Sequence, residues 1–341
     1  MAAKQLMADS YDSFHHLKTW AEEIRAVYPD AGDRIWIGTI HGLMRYGDFP
    51  VDGHRKSYDY YPEKFKSGVQ SIQGFVDDRL LIRTLDDGKF VVYNPRSNRI
   101  EDNFDELLRQ WGIEFENRWS LNIKTDAEGN LWFYNEGRLT VRLVNENKTL
   151  KVVDMPEKIR IFNISKDEFC VATDASIYVY SVNGFKSKFK INNAESSNIR
   201  GLLIDGNGNI WVGGNNISLY DRRNNRWTAV RRHLLVTDML VSRSGDVLVA
   251  TNAAGILRYD SSGNELQEIR HIPYDPTSLR ADNIRWIIED ADTTLWVCYN
   301  KRLISACNPR SPESSHGHIP NIKRQGFEDD IISIMQDKQG R

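Results

Sequence analysis

The sequence has few of the features that would place it quickly. Only three cysteines occur in 341 residues, Cys170, Cys298 and Cys307, too few for a disulfide framework. If Asn300 and Lys301 form a two-residue turn, Cys298 faces Leu303 and Cys307 lies beyond bridging distance. There is no apolar run of ~18 residues, so no membrane contact by a spanning helix is expected. The start, MAAKQLMADSY, lacks the ~7–15 apolar residues of a secretory signal. With neither feature, the chain as given is expected to be soluble. It would then be cytoplasmic as it stands, or a segment of a longer exported protein. Formal net charge is only −2, and basic pairs such as Arg222-Arg223 and Arg231-Arg232 are balanced elsewhere. No nucleic-acid partner is expected. Nucleophile-elbow and zinc-protease motifs are missing, as is sustained helical periodicity, apart from a short helix expected at Phe104 to Trp111.

What is abundant is repetition. Gly208-Asn209-Ile210-Trp211-Val212-Gly213-Gly214 runs on to Ile217-Ser218-Leu219-Tyr220-Asp221. Arg34-Ile35-Trp36-Ile37-Gly38-Thr39 with Gly42-Leu43-Met44-Arg45-Tyr46 has the same form, as do the segments around Trp132, Leu248 and Trp296. Two degenerate copies centre on Leu81 and Cys170. The anchors Trp36, Leu81, Trp132, Cys170, Trp211, Leu248 and Trp296 are 45, 51, 38, 41, 37 and 48 residues apart. That period suits four short strands, and the copies alternate at period two with β-branched and aromatic residues. An all-β, seven-bladed β-propeller of four-stranded antiparallel blades follows. Each buried indole would remove ~150–250 Å² from water, so the anchors are expected to hold the inter-blade core. Apolar runs on the inner two strands of each unit fit burial on both faces.

The ends carry further expectations. Residues 1–13 read as a tail. Residues 14–325 read as the propeller, with residues 14–20 resembling a fourth strand that completes the last blade and hides two sheet edges. Residues 326–341 match the first strand of a further repeat that stops before its anchor.

The pattern Ile-x-x-Ile-x-x-Asp-x-x-Gly-x-Leu-Trp-Ile-Gly-Thr-x-x-Gly-Leu-x-Arg-Tyr resembles the two-component regulator propeller repeat, best at Arg34–Tyr46, Gly208–Asp221, Gly245–Asp260 and Asn283–Cys298. The resemblance implies the N-terminal sensor region of a hybrid two-component histidine kinase. In such proteins the propellers lie in the periplasm, the full-length protein is a homodimer and many members respond to an oligosaccharide. A second propeller, a membrane span and a kinase normally follow. This chain contains no phosphoacceptor histidine box or ATP lid, so kinase activity would reside elsewhere and this chain would not be an enzyme.

Other chemistry is weaker. Asp205-Gly206-Asn207-Gly208-Asn209 looks like a calcium loop, but the EF-hand positions for Gly and Glu hold Ile210 and Asn216, and a β-turn is preferred. Asp126-Ala127-Glu128-Gly129-Asn130 departs in the same way. His316-Gly317-His318 could hold a transition metal, against a plain surface loop. Asp77-Asp78 and Asp329-Asp330 could act as paired carboxylates, against a turn role. No metal or cofactor is expected. Aromatics outside the repeat are the better ligand candidates, because sugar rings stack on them and sugar hydroxyls need polar partners. Tyr58 and Tyr60, beside Tyr61, fall in the long segment between units one and two. Trp111 and Trp119 precede the Trp132 unit, while Tyr274, Arg280 and Arg285 precede the Trp296 unit, with Trp286 expected to be buried. Each could instead cap the core. The alternatives to a sensor are a protein-interaction scaffold and a carbohydrate-active enzyme.

Overall fold

The structure is a computed structural model, and it describes residues 15–18, 24–30, 34–46, 58–61, 63–115, 117, 119–126, 128–135, 137–154, 159–165, 168–173, 175–191, 198–291, 293–299 and 303–307. Its strands form seven separate four-stranded antiparallel sheets. In six of them the strands follow chain order. The innermost strands are Ile24–Pro29, Val69–Phe75, Asn122–Thr125, Ile161–Ser165, Gly201–Ile204, Val236–Val241 and Ile284–Glu289. Each touches the next, and the seventh returns to the first, so the sheets close into a ring. We number the blades 1 to 7 in that order. The molecule is a seven-bladed β-propeller.

Blade 7 is assembled from both ends of the described chain. Its outermost strand is His15–Lys18, paired antiparallel with Leu303–Cys307, with Leu17 opposite Ile304. This leaves no open edge at the junction, where two chain ends would otherwise expose unpaired backbone. The residues around it, 14 and 19–20, and the partial repeat at 326–341 lie outside the described residues.

The core consists of seven hydrophobic clusters, each lying between two adjacent blades and each containing one repeat anchor. Trp36 packs on Leu80 and Ile82 of blade 2. Trp132 stacks on Phe169 of blade 4 at 5.0 Å. Trp211 meets Tyr259 of blade 6 at 5.9 Å. Where the anchor shrinks, the neighbours differ: Cys170 packs with Ile210 and Val212 of blade 5.

Four anchors have a second bond. The indole N–H of Trp36 donates to Asp30 Oδ2 at 2.7 Å, Trp132 to Asp126 at 2.9 Å, Trp211 to Asp205 at 3.0 Å and Trp296 to Asp290 at 2.8 Å. Each Asp lies six residues before its Trp, in the turn between first and second strands. Its carboxylate also accepts turn amides, as Asp205 does from Asn207 and Asn209, both at 2.9 Å. A buried indole N–H needs such a partner. In the blades anchored by Leu81, Cys170 and Leu248, which have no N–H to satisfy, the equivalent positions hold Phe75, Ile164 and Ser242.

Burial departs from the sequence expectation in one respect. The second and third strands, not the first and second, are the continuously buried pair, as in Ile210–Gly213 and Ile217–Asp221. The innermost strands are only partly covered, with blade 5 the exception. They line the axial channel, so one side of each meets no neighbouring sheet. Cys298 pairs with Ile304 rather than Leu303, so the hairpin is one residue longer than the two-residue turn allowed for, and Cys307 pairs with Leu295. All three cysteines are free and buried.

Candidate functional site

The topology sorts the loops onto two faces. Neighbouring strands run in opposite directions, so the connections between blades gather on one face together with the second-to-third-strand hairpins. The acidic turns between first and second strands gather on the other, with the third-to-fourth turns. Asp30, Asp126, Asp205 and Asp290 therefore sit on the face opposite the inter-blade connections, with their carboxylates already bonded to their own turns. That is the β-turn role for Asp205 and Asp126. Among the described residues no group of three or more His, Cys, Asp or Glu side chains could hold a metal ion. Asp77 and Asp78 lie on the same turn face, engaged by Arg79 and Arg96 respectively. His316, His318 and the pair at 329–330 are outside the described residues.

On the inter-blade face a cavity of about 430 Å³ opens between the innermost strands of blades 2, 3 and 4. Gln70 and Ser71 line it from blade 2, Asn122, Ile123 and Lys124 from blade 3, and Ile161 and Phe162 from blade 4. Arg83, Phe90, Tyr134, Ile159 and Arg160 complete the wall. All come from strand ends or connections on this face, as the alternation of strand direction requires.

Two cations are held rigidly there. The Arg83 guanidinium lies over Phe90 at 5.1 Å and over Trp119 at 4.9 Å, and donates to the Leu121 carbonyl at 3.2 Å. Burial lowers its pKa, but an arginine remains charged. Lys124 reaches across to blade 4, donating to Asn163 Oδ1 at 3.1 Å and lying over the Phe162 ring at 5.2 Å. Asn163 passes the link on to the Leu202 carbonyl of blade 5 at 2.8 Å. Crowding by protein lowers the pKa of Lys124, partly opposed by Asp238 across the channel. Asp238 is pushed up to about 6 by burial, against the amides of Ile287 and Met239 and the charge of Lys124.

The residues singled out in the sequence fall in different places. Trp119 is 48% exposed and does not line the cavity itself, but its ring contacts Arg83 of the cavity wall. Trp111 is a core residue, set edge-on to Phe104 at 5.7 Å and beneath Arg142. The helix before it is Phe104–Gln110. Tyr274 is fully exposed, and Arg280 is exposed in the same connection on the opposite side of the ring. Arg285 lies over Trp286 at 4.1 Å and donates to the Ile24 carbonyl of blade 1 at 3.4 Å, which makes it a blade-to-blade tie. Tyr58 and Tyr60 are in strand Tyr58–Tyr61, the outermost of blade 1, and not in a loop. Trp119 alone is near the cavity, through Arg83, and the others are dispersed.

Arg83, Lys124 and Arg160 did not stand out in the sequence, although a signal was there. The positions opposite the anchors on the innermost strands are Leu203, Leu240 and Ile288 in blades 5 to 7. In blades 2 to 4 they are Gln73, Lys124 and Asn163. Polar residues at a position that is apolar elsewhere mark the side of the channel where the cavity lies.

Comparison with known proteins gives a local repeat match and a fold. The two component regulator propeller family matches residues 194–216, the connection into blade 5 and its first hairpin. No curated protein matches the chain. The extracellular domain of a putative hybrid two component system from B. thetaiotaomicron is similar at TM-score 0.63 and 21% identity, over 87% of this chain and 40% of that one. A second such domain from the same organism gives 0.64 and 16%, over 86% and 41%. The virginiamycin B lyase of Staphylococcus aureus gives 0.62 and 14%, over 86% and 98%. The chain thus spans about two fifths of the length of those two extracellular-domain structures. Among the described residues no helix is long and apolar enough to cross a membrane.

Proposed function

From a seven-bladed propeller that carries the two-component regulator propeller repeat, we propose that this chain is the ligand-sensing part of a hybrid two-component sensor, that it lies in the periplasm, and that it binds an oligosaccharide. The supporting observation is the cavity between blades 2, 3 and 4, with polar groups from three blades converging in it and the exposed Trp119 against its wall residue Arg83. A concave site of this size, within the ~300–1,000 Å³ of small-molecule sites, with an aromatic platform and several donors, suits a sugar. Loops and strand ends on a rigid ring are where such sites are built.

Sensing follows from differential binding. Ligand in the cavity touches three adjacent blades, so it favours whichever packing of those blades it fits, and a downstream domain reads the shift. Kinase activity would lie in domains outside this chain, and the propeller itself would be non-catalytic. A homodimer in the full-length protein belongs to the same proposal. The runner-up is a scaffold that binds protein partners, supported by exposed Phe185, Leu266 and Ile272. The likeness to a lyase extends to the fold alone at 14% identity.

Isothermal titration against a glycan panel tests the reading. Heat from at least one oligosaccharide, reduced in a Trp119→Ala variant that melts normally, is expected. A folded protein that gives no heat with any glycan overturns it.

A further inference from the structure

The innermost strands arrange their residues in rows around the axial channel, and the strand register fixes which residues share a row. The row opposite the seven anchors contains one formally charged side chain, Lys124, between Gln73 and Asn163 of the neighbouring blades. The row one pleat nearer the inter-blade face also contains one, Asp238. That second row includes Ser71, Asn122 and Ile161, which line the cavity. One base and one acid thus serve these two rows, from blades 3 and 6 on opposite arcs of the ring.

Their surroundings make the acid the fixed member and the base the movable one. Asp238 accepts the amide of Met239 in its own strand at 2.8 Å and the amide of Ile287 in blade 7 at 3.1 Å. Lys124 donates to a neutral acceptor, Asn163 Oδ1 at 3.1 Å, from the end of a flexible stem over Phe162. It lines the cavity, and its charge and that of Asp238 act on each other across the channel. The other titratable groups on the elements around Asp238 keep their state near neutrality. Cys298, on the second strand of blade 7, is pushed up to about 12 by burial, and Arg285, on the innermost strand of that blade, stays charged. The innermost strand of blade 5 and the second strands of blades 5 and 6 carry no ionisable side chain. Surrounding protein raises Asp238 to about 6, so its charge changes close to neutral pH.

We propose that Asp238 is a proton-operated control on the cavity: as a carboxylate it draws the Lys124 ammonium toward the channel, and as a neutral acid it releases that ammonium to the oxygen atoms of a ligand. This rests on the oligosaccharide-sensing reading and adds a regulation to the same site. Ligand and carboxylate compete for one ammonium, so ligand binding and proton uptake at Asp238 favour each other. The competing charge is present above about pH 6 and lost below it. Ligand therefore binds more tightly as pH falls through that value, and binding takes up protons.

Two measurements on the whole chain test this, the first without ligand. Lysine acetylation by an N-hydroxysuccinimide ester, read by peptide mass spectrometry, reports how open the Lys124 amine is, with the exposed Lys66 as reference. At pH 7.5, Asp238→Asn should raise the relative labelling of Lys124 at least about fivefold, the lower end of ordinary coupling between sites. Wild type should move the same way when the pH is lowered to 5.5, which keeps the test independent of how well the variant folds. Unchanged relative labelling in both comparisons overturns the proposal, whether or not a glycan binds. The second measurement is calorimetric titration with hexasaccharides of glucose, xylose and mannose. One that binds should bind at least about fivefold more tightly at pH 5.5 than at pH 7.5 in wild type, but not in Asp238→Asn or Lys124→Met. Its heat in wild type should also vary with the ionisation enthalpy of the buffer. If a hexasaccharide binds with the same pH dependence in all three proteins, proton control is wrong while oligosaccharide sensing stands. If labelling responds as expected and no glycan of a wider panel binds, oligosaccharide sensing fails and the control of Lys124 by Asp238 stands.

Discussion

Replacing Asp205 with alanine removes one carboxylate from a turn, yet it should be among the more damaging polar substitutions in the molecule. Asp205 is buried and accepts the indole N–H of Trp211 at 3.0 Å, the amides of Asn207 and Asn209 at 2.9 Å, and the Asn209 side-chain amide at 3.2 Å. Trp211 has no exposed surface, so its N–H would be left without a partner and beyond the reach of water. A buried donor stranded in this way costs ~1–3 kcal/mol. The turn amides can turn to solvent and add less. A total of about 2–4 kcal/mol is expected for Asp205→Ala, and roughly half that for Asp205→Asn, which keeps one acceptor oxygen. Denaturant unfolding followed by tryptophan fluorescence, with the m-value checked for constancy, measures this. Asp221→Ala is the control: that carboxylate also caps its own turn, through Arg223 and Asn224, but in solvent, and should cost far less than Asp205→Ala. A double-mutant cycle with Trp211→Phe should show coupling of about 1 kcal/mol or more. Equal losses for Asp205→Ala and Asp221→Ala, or no coupling to Trp211, would refute the Asp–Trp pairing as the element that seats the anchor.

Other outcomes follow from the packing and the buried charges. Gly255→Ala should cost more than about 2 kcal/mol in chemical unfolding, because φ is +68° and a Cβ would lie 2.1 Å from the Ile269 carbonyl oxygen. Gly129→Ala, at φ +83° with open space around it, should cost only about 1 kcal/mol. Gly213→Ala would bring a Cβ to 2.6 Å from Val236 of blade 6, so a loss of ~1–3 kcal/mol is expected, partly recovered by Val236→Ala. Asp238 is raised from 3.8 to about 6, so the folded state holds its proton more tightly than the unfolded one. Its contribution is fully present below pH 3.8 and is lost as pH rises through 6; the stability of wild type relative to Asp238→Asn should therefore decline by ~1–3 kcal/mol between pH 4 and pH 7. A rise over that window would contradict the burial of this carboxylate.

The fold was legible because a propeller repeats one physical solution seven times. Trp36, Trp132, Trp211 and Trp296 recur at a spacing that four strands require, and even Leu81 and Cys170 could be placed by period where their identity gave no help. The Asp six residues before each Trp was visible too, but as a turn residue; nothing in one dimension says that its second oxygen reaches back to the indole. The candidate site was much less legible. A cavity is made by residues from three blades, separated in sequence by some forty residues each, and no local pattern links Arg83, Lys124 and Arg160. Of the aromatics outside the repeat, only Trp119 lies near the cavity, through its contact with Arg83. Trp111 fills the gap between its helix and blade 3, and Tyr58 and Tyr60 continue a sheet whose fourth strand has too little periodicity to announce itself. Lys124 and Asn163 were detectable as polar residues at a position filled by Leu or Ile in blades 5 to 7, a comparison that needs the strand register before it can be made.

Hydrogen–deuterium exchange, with and without the oligosaccharide that binds most tightly, is the most direct test of a sensor whose ligand seat lies between blades 2, 3 and 4. Protection is expected at residues 70–71, 83–90, 119–124 and 159–162, the strand ends and connections around the cavity, while the acidic turns at Asp30, Asp205 and Asp290 on the opposite face stay unchanged. Protection confined to that opposite face, to the connection around Tyr274, or to the outermost strands would contradict it.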